Sequence, residues 1–410
     1  MAGAGVLRRT EQGMRGQFTK LGLLDVKRSI VNSVTVCQCV ISLETPDVPA
    51  WPVPLMPCDD RPFLAWGMRE LQRFGVEEFI FLTRTSSPEI VCALESLADH
   101  LPRLVKITVC NAPAGSEVAE TLCQSRPHLR QRFLMCSAHI LFSGNLVPFL
   151  SVARQGNWCL LCSNDETACP EVKDLPDSMK TGIYLLETSI FDHLTDSSCL
   201  GDILSSMQQT GNLHSYLSDG TFYDIDTVHD LAQAADILPP LLRRPAVFLD
   251  RDGVINRDFG WVGTPDRFEW EPGVLETIAG LTQDGYHLFI VTNQSGIARG
   301  FYSEADLQAL MTWVVDMIRS HGGTIDDWRY CPMHPEAPLP QYRAISENRK
   351  PAPGMILDLI QAWSLDPDRC VLFGDQPSDM QAAAAAGIQS VPVGPSSLFQ
   401  LVAEGHHLKI

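Results

Sequence analysis

The way apolar runs end between Ala246 and Val393 constrains the fold more than any other feature of the chain. AVFLD, YHLFIVTN and RCVLFGD each carry continuous apolar residues and then stop on an acid, an amide or a glycine. Short apolar runs without alternation are the pattern of strands buried on both faces. Between them stand stretches with helical periodicity. VLETIAGLTQDG closes at Gly285, a long helix opened by Ser303 and Asp306 as a capping box stops at Gly322 and Gly323, and PGMILDLIQAW and SDMQAAAAAG follow. WRYC supplies one more strand. This order predicts a parallel sheet covered by helices on both faces, with ligands bound outside the carboxyl ends of the strands. Asp250, Thr292 with Asn293, and Gly374 with Asp375 then gather at one edge.

The chain before this region also alternates. RPFLAWGMRELQRFG reads as an amphipathic helix closed by Gly75, followed by the strand EEFIFLT, the helix SPEIVCALESLADH and the strand VKITVC. AQAADILPPLLRRP carries Pro239, Pro240 and Pro245 and marks the boundary, because a proline pair is expected to stop a helix and stiffen the connection. The expectation is a loose or processed N-terminus over 1–30, containing Arg8, Arg9, Arg15, Lys20, Lys27 and Arg28, then domains over 31–240 and 241–410.

With 31 basic against 49 acidic residues among 410, the formal charge is −18, which repels nucleic acid and anionic lipid over most of the surface. An anionic substrate must be captured by a few Lys or Arg set into one pocket. No apolar run reaches the roughly 18 residues of a membrane span, so the expectation is a soluble, cytoplasmic protein. The 13 cysteines sit in apolar stretches such as VTVCQCV and NWCLLC, which reads as buried thiols in a reducing compartment and not as a disulfide framework. Cys37/Cys39 and Cys159/Cys162 lack the second pair that a metal site needs.

Asp250 and Asp252 stand two positions apart just past a strand, and Gly253 permits the sharp exit. Asp375 can join them from another strand. Three carboxylates in one pocket repel one another unless a cation lies between them, and hard oxygen ligands beside a phosphate favour Mg²⁺. Either DRDG or GDQPSD alone would pass for a surface turn; in order, each after an apolar strand, they point to one site. Lys350, in RKPAPGM, offers localised positive charge for a dianionic phosphate, and Thr292 offers a hydroxyl.

DRDGV, VTNQSG, RKPAPG and GDQPSD together resemble the four motifs of the haloacid dehalogenase superfamily of phosphatases. NRDFGWVGTPDRFEWEPGV, VTNQSGIARG and RKPAPGM are most similar to its D-glycero-D-manno-heptose 1,7-bisphosphate 7-phosphatases, from about Ala246 to about Val393. Histidinol phosphatases share DRDG and RKP and are the alternative. The resemblance implies a Rossmann-like domain and a Mg²⁺-dependent phosphatase. Asp250 would be the nucleophile and Asp252 the acid and base, with Thr292 and Lys350 stabilising the transferring group. Mg²⁺ would be held by Asp250, the carbonyl of Asp252 and Asp375. It also implies substrate contacts at Asp258, Phe259, Gly260, Trp261, Asn293, Gln294, Ser295 and Arg349, with Asp379 orienting Lys350 or the metal shell. Many members bind zinc through C-x-H and C-x-C before RKP. Here those positions are Cys331, Met333, Ser346 and Asn348, and His334 cannot complete a tetrahedral set, so no structural zinc is expected and the loop must be held by packing and its prolines.

VPLMPCDDRPFLAWGMRELQRFGVEEFIFLT, RFLMCSAHILF, TGIYLLE and GTFYDIDTVHDLAQAADIL resemble sugar-phosphate nucleotidyltransferases, from about Ser33 to Leu238. That family cradles nucleotide phosphates in a glycine-rich GxGTRL loop, contacts them with the Lys of PKP and binds Mg²⁺ with the Asp of GD. In this chain ISLETPDVPAW replaces the loop, Val53 stands in the Lys position and CSAHI replaces GD. A triphosphate needs backbone N–H groups and cations that this loop does not offer. The expectation is an α/β domain of nucleotidyltransferase type without its activity, serving stability, self-association or docking, with Asp224 and Asp226 as its remaining candidate metal ligands. A bifunctional enzyme that also activates heptose 1-phosphate is the rival.

Overall fold

The computed structural model describes residues 36–43, 51–84, 87–113, 116–162, 182–194 and 199–394, all within one compact unit. The N-terminal segment 1–30 and most of ISLETPDVPAW lie outside the described residues.

The first half is built on β1 (Gln38–Leu43), β2 (Glu78–Thr83), β3 (Lys106–Asn111), β4 (Arg132–Ser137), β5 (Asn157–Cys162), β6 (Ile183–Glu187) and β7 (Leu213–Ser218). They lie in the order β7-β5-β6-β4-β1-β2-β3, and β6 runs antiparallel to β4 and β5 while the other neighbours are parallel. Helix α1 (Phe63–Arg73) follows the segment PCDDRP and ends just before Gly75, whose φ of 98° only glycine adopts without strain. Helix α2 (Val228–Leu242) opens on a capping box of Thr227 and Asp230.

The proline pair does not stop α2, contrary to the sequence expectation. Pro239 and Pro240 stand inside it, and the helix ends at Leu242. Each lacks the N–H that would bond to the carbonyl four residues back, so two ladder bonds are forfeited and the helix still runs on to Leu242. Leu238 and Leu242 are buried against Phe63 and Trp66, and the Arg243 N–H donates to the Pro239 carbonyl at 3.0 Å.

The second half carries β8 (Ala246–Leu249), α3 (Val274–Gln283), β9 (His287–Asn293), α4 (Glu304–Ser320), β10 (Asp327–Cys331), α5 (Gly354–Trp363), β11 (Cys370–Gly374), α6 (Pro377–Ala386) and β12 (Gln389–Pro392). Its five strands are all parallel, in the order β10-β9-β8-β11-β12. Alternate strand residues face opposite layers, as a period of two requires. Val247, Leu249, Leu288, Ile290, Val371 and Phe373 pack with α3 and α4. Ala246, Phe248, Phe289, Val291, Cys370 and Leu372 pack with α5 and α6. The chain crosses from one side of β8 to the other between β10 and β11, which opens a crevice at the carboxyl ends of β8 and β11.

The polar face of α1 does not meet water. Arg69, Glu70, Gln72 and Arg73 are all buried, and Arg69 and Arg73 meet groups at the strand starts of the second sheet. Arg73 donates to Asp326 Oδ2 at 3.0 Å and to the Tyr286 carbonyl at 2.9 Å, and its own carbonyl accepts from the Thr324 hydroxyl at 2.7 Å. Arg69 donates to the Trp363 carbonyl at 2.8 Å and lies between the rings of Trp66 and Trp363. This junction lies at the end of the sheet opposite Asp250.

All cysteines among the described residues are free; Cys39, Cys159 and Cys162 are buried and Cys37 is half-buried. Asp224 and Asp226 are both exposed, the former at the end of a strand paired with Ile140–Ser143. No described helix is long and apolar enough to cross a membrane.

Candidate active site

Four polar side chains converge at the crevice. Asp250 leaves the end of β8, Asp375 follows β11, Asp379 stands in the first turn of α6, and Lys350 arrives from the loop before α5. Lys350 Nζ lies 2.9 Å from Asp250 Oδ1 and 2.7 Å from Asp379 Oδ1, and donates to the Val291 carbonyl at 2.9 Å. Asn293 fixes the approach of that lysine: its Nδ2 donates to the Lys350 carbonyl at 3.0 Å and its Oδ1 accepts from the Lys350 N–H at 3.1 Å. Two close approaches explain glycines here. A Cβ on Gly253, which has φ of 82°, would come within 2.5 Å of Asp375 Oδ2, and one on Gly374 would strike Asp379.

The charges do not balance within the protein. Burial works to lower the Lys350 ammonium, but Asp250 and Asp379 outweigh it and hold the pKa above its usual value, so the lysine stays charged. Burial pushes Asp250 up to about 7 against the pull of Lys350, with Asp379 and Asp252 adding to the rise. Asp375 is raised by burial and by neighbouring Asp379 and Asp258. One cation serves three carboxylates whose ligand atoms lie within 4.8 Å of one another. Asp375 Oδ1 is buried and accepts no hydrogen bond among the described residues. An all-oxygen set with an orphaned acceptor and surplus negative charge fits a hard divalent cation.

Asp252 is placed differently from Asp250. Its carboxylate accepts from Arg251 Nη2 at 2.8 and 2.9 Å, from Asn256 Nδ2 at 2.9 Å and from Gln294 Nε2 at 2.9 Å. The side chain is occupied by donors, so its place in a metal set rests on its backbone carbonyl, and Asp379 is the third carboxylate beside Asp250 and Asp375. Thr292 is buried at the end of β9, where its hydroxyl accepts from Gln294 Nε2 at 2.8 Å.

The remaining sequence candidates lie on the segments that follow β8 and β9 and precede α5. Asp258 is exposed and its Oδ1 accepts from the Gly260 N–H at 2.8 Å. Phe259 and Trp261 are 54% and 46% exposed, which leaves their rings available to a ligand. Arg267 holds this loop by donating to the carbonyls of Phe259, Gly260 and Trp261. Ser295 begins the short helix after Gln294, and Arg349 is half-buried, donating to the Met333 carbonyl at 3.0 Å. The loop before Lys350 is held by more than prolines. Arg343 donates to the Ala337 carbonyl at 2.6 Å, and Tyr342 and Tyr330 both donate to Glu304.

Residues that motif reading missed include Arg251, Asn256 and Tyr302. Arg251 is the unmarked letter inside DRDG, yet it is wholly buried. An arginine between two acids in an otherwise apolar setting was the signal available. Trp261 also stacks on Phe301 with ring centroids 4.5 Å apart, below Arg299.

The HAD-hydrolase-like family model matches residues 347–396. The D-glycero-beta-D-manno-heptose-1,7-bisphosphate 7-phosphatase of Rhodopseudomonas palustris is 53% identical over 146 residues, 36% of this chain and 81% of that protein. Among solved structures, D,D-heptose 1.7-bisphosphate phosphatase from B. bronchiseptica, complexed with magnesium and phosphate, is 34% identical, covering 40% of this chain and 87% of its own at a TM-score of 0.34. HddC from Yersinia pseudotuberculosis is 15% identical, covering 49% of this chain and 99% of its own at a TM-score of 0.39. With most of the Rhodopseudomonas enzyme matched at more than half identity, the chain belongs to the heptose-1,7-bisphosphate 7-phosphatase family and is a phosphoric monoester hydrolase.

Proposed function

We propose that the protein removes the 7-phosphate of D-glycero-D-manno-heptose 1,7-bisphosphate, leaving heptose 1-phosphate, with Asp250 as nucleophile. The meeting of Asp250, Lys350, Asp375 and Asp379 at the crevice carries this reading. An Asp250 carboxylate oxygen attacks phosphorus in line, the bond from phosphorus to the sugar oxygen breaks, and that oxygen takes a proton from Asp252. Asp252 then takes a proton from water as the water oxygen attacks the aspartyl phosphate. The Asp250–phosphorus bond breaks, and inorganic phosphate leaves. Lys350 and Thr292 face the transferring group, and Asn293 keeps the lysine in place. Asp258 to Trp261, Asn293 to Ser295 and Arg349 form the proposed sugar and phosphate contacts.

Mg²⁺ would be held by the carboxylates of Asp250 and Asp375 and the carbonyl of Asp252, with Asp379 behind them. When bound it supplies positive charge to the phosphoryl oxygens. In the first half, Val53 and CSAHI replace the charged groups that nucleotide transfer needs, and we read that half as structural.

The deciding experiment is a substrate panel on purified full-length protein. The kcat/KM for heptose 1,7-bisphosphate should exceed that for histidinol phosphate by about 100-fold or more, since polar groups placed for one leaving group go unpaired with the other. Comparable values overturn the substrate assignment. Chelation should abolish turnover and Mg²⁺ restore it. In thermal unfolding, Mg²⁺ at a hundred times Kd should add about 2.7 kcal/mol of stability. The same gain in Asp375→Asn would remove that residue from the metal set.

A further inference from the structure

We propose that Tyr302 is a positioning residue for Asp252, acting through the amide of Gln294; this rests on the reading of Asp252 as acid and base. Gln294 is buried and uses both ends of its side chain. Its Nε2 donates to Asp252 Oδ2 at 2.9 Å and to Thr292 Oγ1 at 2.8 Å. Its Oε1 accepts from the Tyr302 hydroxyl at 2.6 Å. Reversing the amide would turn a carbonyl oxygen onto the Asp252 carboxylate and leave the Tyr302 proton without an acceptor. The tyrosine hydroxyl thereby sets which end of Gln294 meets the acid.

The charge of Arg251, another donor to Asp252, also acts on the Tyr302 hydroxyl. Two of the three side chains that donate to the carboxylate are thus coupled to one phenol, Asn256 being the third. The ring itself has no room to drift. A Cβ on either Gly263 or Gly296 would collide with it, so the two glycines form its slot. A phenylalanine fills that slot equally well, which separates the hydroxyl from the packing of the ring.

The test is Tyr302→Phe in the full-length enzyme, with Gln294→Leu, the double variant and Asp252→Asn. Each is assayed for kcat/KM on heptose 1,7-bisphosphate and on p-nitrophenyl phosphate, whose leaving group departs without a proton. The expected result for Tyr302→Phe is a loss of about tenfold on the sugar phosphate, a fraction of what general acid catalysis supplies, and less than about twofold on the aryl ester. The double variant should be no slower than Gln294→Leu alone, because the two residues act as one unit. Equal losses on both substrates, additive losses in the double variant, or a wild-type rate on the sugar phosphate overturn the proposal. A wild-type rate in Asp252→Asn is the separate result that defeats the acid and base assignment itself. Thermal unfolding of Tyr302→Phe should match wild type, since the ring contacts persist.

Discussion

Asp250→Asn is expected to lower turnover of the bisphosphate by on the order of 10⁴-fold or more, because it removes the attacking oxygen and not a supporting contact. The same change should leave the fold intact. Asp250 is held up at about 7 from an ordinary 3.8, first by burial and then by Asp379 and Asp252. Between those values the folded protein binds the proton more tightly than the unfolded chain does. Stability therefore falls as pH rises through that window, and the full cost of the charged carboxylate is present above pH 7. An amide carries no such cost. Lys350 loses one partner, but Asp379 remains 2.7 Å away. In metal-free buffer at pH 8 the variant should unfold at a temperature no lower than wild type, and Mg²⁺ should raise its unfolding temperature less. Turnover within tenfold of wild type would exclude Asp250 as nucleophile. Lost turnover with a lowered unfolding temperature would trace the defect to folding instead.

The strand-end acids were legible because each follows an uninterrupted apolar run, and such runs place their last residue at the sheet edge whatever the rest of the chain does. Asp250, Thr292 and Asp375 could be found this way. Asp252 could be named but not oriented, since its donors Arg251, Asn256 and Gln294 come from three different positions and only the folded loop brings them together. Tyr302 left no local trace. Its reason for being there is a hydrogen bond to Gln294 and a slot made by Gly263 and Gly296. The helix RPFLAWGMRELQRFG was misleading in another way. Its charged stripe has the pattern of a solvated face, and the groups that bury it, His287, Asp326 and Trp363, lie more than 200 positions away. The proline pair at 239 and 240 failed as a stop signal because burial of Leu238 and Leu242 outweighs the two ladder bonds that the prolines cannot make.

That buried stripe gives the largest expected effect on stability. Arg73→Ala removes a guanidinium that donates to Asp326 at 3.0 Å, Glu70 at 3.3 Å and the Tyr286 carbonyl at 2.9 Å. Asp326 is fully buried, and its remaining side-chain partner is His287, whose Nδ1 lies 2.5 Å from Oδ2. Breaking a buried ion pair from one side strands the other charge, so the loss should be about 3–5 kcal/mol in denaturant unfolding. Because the network ties α1 to the starts of β9 and β10, both halves should unfold in one transition. Two resolved transitions would mean that the halves are independent. Acid should act on the same network. Burial, with Arg73 and Arg69, holds His287 down at about 4 from an ordinary 6.5 in spite of Asp326. As pH falls through that interval the unfolded chain takes up the proton first, which draws on the order of 3 kcal/mol from the folded state. For Glu70, burial works upward but Arg244 and Arg73 outweigh it and bring the carboxyl to about 2, so its contribution is present above pH 4.5 and lost as pH falls toward 2. In the Asp250→Asn background, which removes the opposing gain that Asp250 gives as pH falls from about 7, stability should decline in two stages, beginning near pH 6.5. His287→Gln should flatten the first stage and leave the second, and an unchanged profile in that variant would mean that His287 does not report on the junction.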